Sequence, residues 1–171
     1  MGLLLRLTTS DAELLSAIGG KTLIESHGHS AAPGVMQEYV EKNFSTEACL
    51  NELQDEKNIF HVLYYRNEPA GYYKIVFDCP HPEVSLSPVS KMERLYLLRS
   101  FYDLKLGQQL AQHAIVLSKG NGEKGMWLNV WKENYRAIQF YEKQGFKTIG
   151  ESEFVLTSAH ANPNWVMFLG Y

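Results

Sequence analysis

The sequence predicts a mixed α/β fold, a central twisted mixed β-sheet flanked by helices, and three stretches predict it. In residues 127–131, Trp127, Asn129 and Trp131 alternate with Leu128 and Val130, the period of two that sends successive side chains to opposite faces of a sheet. The period then changes to that of a helix, and a strand returns after Gly145, so residues 127–149 read as β-α-β. Residues 59–77 form the second stretch, two β-rich runs around a turn. The third is the front of the chain, helical and built from short pieces.

Residues 3–7 read as a first strand. Ser10, Asp11, Ala12 and Glu13 have the capping-box pattern, and Leu14, Leu15 and Ile18 follow at helical spacing. Gly19 and Gly20 end or interrupt that helix. Residues 27–34, with His27, Gly28, His29, Pro33 and Gly34, read as loop, and helix signals resume at Val35, Met36, Tyr39 and Val40. Ser45 and Thr46 offer another cap ahead of Cys49, Leu50 and Leu53. Residues 59–65 and 71–77 make a hairpin across a turn at Arg66, Asn67, Glu68 and Pro69. Residues 79–88 carry three prolines and read as a surface loop.

Residues 92–98 are strand, and residues 106–117 are helix, with Leu106, Leu110, Ala114 and Leu117 on one face. Asn121 and Gly122 turn the chain into the Trp127 strand. Asn134 is a good N-cap for the next helix, whose stripe is Ala137, Ile138 and Tyr141. Lys143 suits its last turn and Gly145 the position beyond. Residues 146–149 form a short strand, and residues 153–157 and 165–169 read as two final strands. The order of elements, β-αα-βββ-α-β-α-ββ, fits one domain over residues 1–171, with no repeat or linker.

Composition bounds the function. Net charge is −3, which argues against nucleic acid as partner. No apolar run is long enough for a membrane span, and the start lacks a signal peptide's basic and apolar regions. Arg6 stands where a myristoylation signal has Ser or Thr. Two cysteines, Cys49 and Cys79, make no disulfide framework, so a reducing cytoplasm is expected. Residues 1–57 hold nine acidic and four basic side chains, net −5, and residues 58–171 hold ten and twelve, net +2. That split suits a cationic substrate beside an anionic cofactor, or simply solvated helix faces. Among His27, His29, His61, His81, His113 and His160, only His27-x-His29 hints at ligand spacing, and no metal site is expected.

Leu128, Val130, Asn134, Ala137, Phe140, Tyr141, Lys143, Gly145 and Phe146 together resemble the second half of the GNAT family of N-acetyltransferases. Residues 93–98 followed by 101–110 look like that family's coenzyme-binding motif, a strand, a loop and a helix start. There the family reads Arg/Gln-x-x-Gly-x-Gly/Ala, and this chain has Tyr102, Lys105 and Gly107, of which the last matches. Lys105 costs about 1 kcal/mol if its backbone must be left-handed, and its ammonium could instead meet a phosphate. Tyr102 cannot reproduce a guanidinium fork. Within the family the text is similar to PaiA-type spermidine/spermine N-acetyltransferases. Residues 44–50, residues 127–146 and the hairpin run Ala70-Gly71-Tyr72-Tyr73-Lys74 carry that likeness.

The resemblance implies direct acetyl transfer from acetyl-CoA to a primary amine, a polyamine or other small cation first. It leaves open a protein N-terminus or lysine, or a coenzyme-binding regulator with little turnover. It implies a coenzyme-contact set of Leu95, Tyr96 and Leu97 on the strand, then Tyr102, Asp103, Leu104, Lys105, Leu106, Gly107 and Gln108, with Asn134 and Tyr141 beyond. A backbone N–H near residues 95–97 would hold the oxyanion. Tyr141 would protonate the departing thiolate, or be a core tyrosine; Asn134 would meet the pantetheine arm, or cap its helix, or both. An alkylammonium must lose a proton before it attacks, and Glu93 is the candidate base, or else a strand carboxylate paired with a neighbouring cation. Residues 165–169 could pair between subunits as a homodimer or complete the sheet internally.

Overall fold

The computed structural model describes residues 1–171 throughout, and along them run seven strands and five α-helices. The strands are β1 (Leu3–Arg6), β2 (Asn58–Tyr65), β3 (Glu68–Val76), β4 (Ser90–Leu97), β5 (Gly125–Trp131), β6 (Lys147–Thr157) and β7 (His160–Gly170). The helices are α1 (Ala12–His27), α2 (Pro33–Asn43), α3 (Thr46–Gln54), α4 (Leu106–Gly120) and α5 (Tyr135–Lys143). The strands form one mixed sheet in the order β1-β2-β3-β4-β5-β7-β6, flanked by helices as the sequence predicts. Contacts divide the chain into two compact units, residues 1–74 with 94–112, and residues 75–93 with 113–171.

In the first unit β1 runs antiparallel to β2, from Leu3 opposite Tyr64 to Arg6 opposite His61. The hairpin turn is tighter than the sequence suggests. Only Arg66 and Asn67 lie outside the strands, both left-handed at φ 52° and 65°. Two such residues match the right-handed twist of the flanking strands, so Glu68 and Pro69 already belong to β3. Leu7, Leu15, Ile18, Cys49, Phe60 and Tyr72 form the buried core between the helices and the sheet.

Four expectations about the front are corrected. The first cap is Thr8 with Asp11, not Ser10 with Glu13: Asp11 Oδ2 accepts from the Thr8 N–H at 2.7 Å. Gly19 and Gly20 do not break α1, which runs through both. A Cβ on Gly19 would stand 2.4 Å from the Phe44 ring, and one on Gly20 3.1 Å from Val40, so these glycines let neighbouring elements approach closely. His27 is the last residue of α1 rather than loop, and α2 begins at Pro33, since proline's missing N–H costs nothing in the first turn. Three front helices stand where the element order has two.

In the second unit β4 pairs parallel with β5 through Ser90 opposite Met126 and Lys91 opposite Trp127. β7 lies antiparallel to β5 from Gly125 opposite Gly170 to Trp131 opposite Asn164, and antiparallel to β6 on its other side. Residues 165–169 therefore have both edges occupied and complete the sheet internally. The two strands read at 146–149 and 153–157 are one strand, β6, kept in pairing by register shifts between Thr148 and Gly150 and between Val155 and Thr157.

Candidate active site

The predicted site residues divide between the units. The first holds residues 95–108, and the second holds Glu93, Asn134 and Tyr141.

In the first unit, β4 ends at Leu97 and the Leu98 N–H donates to the Ala70 carbonyl at 2.9 Å, which keeps the strand end on β3. A 3-10 turn follows over Arg99–Phe101, closed by the Phe101 N–H on the Leu98 carbonyl and the Tyr102 N–H on the Arg99 carbonyl. Glu25 of α1 pins that turn, accepting from the Arg99 N–H at 2.7 Å and taking the Arg99 guanidinium on its backbone carbonyl. Tyr102 is extended, Asp103 is left-handed at φ 65° and Lys105 at φ 60°. The Lys105 backbone is thus in the conformation for which the family motif has glycine, and a non-glycine residue there costs about 1–2 kcal/mol. Leu106 is buried, and α4 starts with its first N–H groups beyond reach of any intrahelical carbonyl.

Asp103, Leu104 and Lys105 are exposed around that helix start. A loop with alternating backbone hand ahead of a long helix aims amides at one place and suits an anionic diphosphate. The Lys105 ammonium adds to that fit, and the Asp103 carboxylate works against it. Gln109, one turn into α4, is tied to the chain start: its side chain accepts from the Gly2 N–H at 2.9 Å and donates to the Gly2 carbonyl at 2.6 Å.

The same unit buries a charge cluster that no spacing in the sequence betrays. Glu52 of α3 accepts from Lys74 Nζ at 2.6 Å on one oxygen and from Arg94 Nη2 at 2.9 Å on the other. The Arg94 guanidinium lies 4.7 Å from the Phe44 ring centroid. Nearby, burial pushes the Cys49 thiol up to about 11, with the Glu52 carboxylate adding to the shift and Arg94 opposing it. Tyr72 is fully buried, and desolvation raises its phenol above the ordinary range. His27 lies edge-on to Tyr96, its Nδ1 2.7 Å from Ser26 Oγ, and burial, then His29, lowers it to about 4. Only tertiary structure joins positions 52, 74 and 94, because each reads in sequence as an ordinary amphipathic surface charge.

In the second unit the geometry fixes Tyr141 firmly. Asn134 Oδ1 accepts from the Ala137 N–H at 3.2 Å and so caps α5. At the other end Gly145 is left-handed at φ 97°. Its N–H donates to the Glu142 carbonyl and the Phe146 N–H to the Tyr141 carbonyl, the paired bonds of a Schellman ending. The contact that accompanies this motif is the Phe146 ring against the Tyr141 ring, edge-on at 5.7 Å between centroids. Tyr141 is 8% exposed. Glu93 on β4 is half-buried with Lys91 Nζ 3.6 Å from its carboxylate, and the same ammonium lies 5.0 Å from the Trp127 ring centroid. Both alternatives read from the sequence, a capping Asn134 and a cation-paired Glu93, are therefore present as contacts.

Reading the last strand from Trp165 passes over Asn162 and Asn164. Both lie inside β7 and are buried, 5% and 6% exposed. Asparagine disfavours strands, which hides them, yet two at alternate positions next to an apolar run are themselves a signal.

Residues 27–146 match the model of the acetyltransferase (GNAT) family. An uncharacterised N-acetyltransferase from the pepI 3′ region of Lactobacillus delbrueckii subsp. lactis is 29% identical over 154 residues, covering 90% of this chain and 88% of that one. Among solved structures, the PaiA N-acetyltransferase of Thermoplasma acidophilum in complex with coenzyme A superposes with a TM-score of 0.79 at 19% identity, covering 100% of this chain and 99% of that one. The ribosomal-protein-S18-alanine N-acetyltransferase of Escherichia coli gives 0.70 at 17%, covering 99% and 94%.

Proposed function

The chain belongs to the acetyltransferase (GNAT) family, and on that premise we propose that it moves an acetyl group from acetyl-CoA to a primary amine. The observation that carries this reading is the β4–α4 connection, whose left-handed Asp103 and Lys105 lead directly into the start of α4 at Leu106. Residues 102–108 would hold the diphosphate there, with the Lys105 ammonium as an added cation and the strand amides of Leu95, Tyr96 and Leu97 beside the acyl arm. Acetyl-CoA supplies an activated thioester, whose C–S bond breaks as the amine forms its C–N bond. Tyr141 holds the proton for the departing sulfur, on a ring fixed by the Schellman ending of α5. Glu93 takes the amine's proton, directly or through water, and Asn134 sets the helix on which Tyr141 sits.

A polyamine acceptor is supported by the PaiA-like text of residues 44–50, 70–74 and 127–146. The charge argument for it is thinner than composition suggests. Of the front half's carboxylates, Asp11 caps a helix, Glu25 holds Arg99 and Glu52 is shared by two cations. A peptide amine is the second reading, favoured by the β7 asparagines. The coenzyme-binding regulator is the third, motivated by Tyr102 and Lys105 in place of the family's residues. The test is thiol release from acetyl-CoA with spermidine, spermine, short diamines and lysine peptides. Release with at least one amine is expected. Coenzyme binding by calorimetry without release for any acceptor would replace the enzyme reading with the regulator.

A further inference from the structure

Asn162 and Asn164 occupy alternate positions of β7, so their carboxamides project from the same face of the sheet. Each is more than nine-tenths buried. The Oδ1 of Asn162 is 3.2 Å from His160 Nε2, which leaves its Nδ2 as a buried donor with no hydrogen-bond partner. Asn164 presents the complement, a buried Oδ1 with no partner. A buried polar group left without a hydrogen bond is costly, so two neighbouring ones of opposite sense on one strand are an expensive arrangement for a fold to keep. Their strand neighbours are mixed, with Phe154 on β6 opposite Asn162 in register. Opposite Asn164 in register stand Trp131 on β5 and Ser152 on β6, and Ser152 Oγ donates to Asn129 Oδ1 at 3.0 Å.

We infer that this pair binds an amide group carried by the acceptor, its carbonyl accepting from Asn162 Nδ2 and its N–H donating to Asn164 Oδ1. This deepens the acyl-transfer reading and rests on it. An alkyl polyamine offers donors only, so it could serve Asn164 and would leave the Asn162 donor unpaired. A peptide group offers both senses, two bonds away from one another. The acceptor class this selects is an amine on a peptide or amino-acid amide.

The test compares amines matched in reactivity but differing in the amide: cadaverine against a capped lysine peptide, and alanine methyl ester against alanyl-alanine amide, by thiol release with saturating acetyl-CoA. The amide-bearing partner of at least one pair is expected to have a kcat/KM at least about tenfold higher, since sites built to hydrogen-bond discriminate against analogues lacking the group. In N162L that preference collapses through KM, while kcat/KM for the amide-free amine and coenzyme affinity stay as in the wild type; N164L loses the preference too, with coenzyme affinity unchanged. N164D, which keeps the acceptor oxygen and most of the shape, retains the preference and guards against a leucine variant that fails to fold. Equal losses on both members of a pair, or an unchanged KM with a lowered Tm, would show that the pair only seats water or supports the sheet, and would overturn the inference. If no amine supports thiol release, the acyl-transfer reading falls by itself. The amide site is then judged by calorimetric binding of the same two peptides to the coenzyme-loaded protein: binding lost in N162L and N164L supports it, and binding unchanged in them, or absent in the wild type, overturns it.

Discussion

The predicted site residues include a strand-to-helix junction from each unit, and the two solve the same problem in opposite ways. Between β5 and α5 the chain turns within Lys132, Glu133 and Asn134, and the Asn134 side chain bonds the helix's own Ala137 N–H. Between β4 and α4 it takes a 3-10 turn, an extended Tyr102 and two left-handed non-glycine residues to reach Leu106. The short junction holds a side chain in place, the Tyr141 ring of the helix it starts. The long one shapes backbone, and its product is an exposed run, Asp103 to Lys105, set at the start of α4. A helix end closed by its own side-chain cap has fewer donors to lend, which suits α5 to holding the Tyr141 ring rather than an anion.

The largest effect that can break this comparison is at Tyr141. Y141F keeps the ring against Phe146 and removes only the hydroxyl, so kcat should fall about 100-fold or more while coenzyme affinity changes little. Unchanged turnover would reduce the short junction to a packing device. Next is the cap itself. N134A should cost about 1 kcal/mol of stability, read as a shift of the urea midpoint at constant slope. A loss far above that would mean Asn134 holds more than one amide.

The long junction should respond with the opposite sign. K105G relieves a left-handed side chain and should stabilise by up to about 1 kcal/mol, after the flexibility glycine adds to the unfolded chain. D103G should gain less, because aspartate tolerates that conformation better. Destabilisation in both would show that the Lys105 and Asp103 side chains are what order the loop. A further effect, on stability against pH, lies outside both junctions. His27 is held neutral by burial, with its value near 4 rather than 6.5. The unfolded chain binds that proton first as pH falls, so stability should be full above about 6.5, decline between there and 4, and level off below. H27Q should flatten that part of a Tm-against-pH curve.

Residues whose meaning is local were legible in the sequence. Asn134, Gly145 and the Tyr141 stripe announce α5 because caps and helical spacing are properties of neighbouring residues. The departure at Lys105 was legible too, since the slot is defined by chain order around Gly107. What failed was anything whose reason lies across the fold. Gly19 and Gly20 look like a break, yet they are where Phe44 and Val40 come close. The β6 strand looks like two pieces because its register shifts interrupt the alternation, and its partner β7 carries the continuity. The Glu52–Lys74–Arg94 cluster has no sequence signature beyond charges in ordinary places, and the only trace of the buried arms of Asn162 and Asn164 is their alternate spacing beside an apolar run.

The buried thiol of Cys49 has a practical consequence for the experiments that would decide these questions. Colorimetric thiol reagents react with thiolates, and a fully enclosed sulfur whose ionisation is pushed up to about 11 offers almost none near neutral pH. Of the two cysteines, then, Cys79 alone can contribute to the starting absorbance, and the enzyme's own signal should plateau at no more than one equivalent per chain before substrate is added. A rise beyond one equivalent in an acceptor-free control would be an early sign that the first unit has opened, recorded in the same cuvette as the turnover it would otherwise distort.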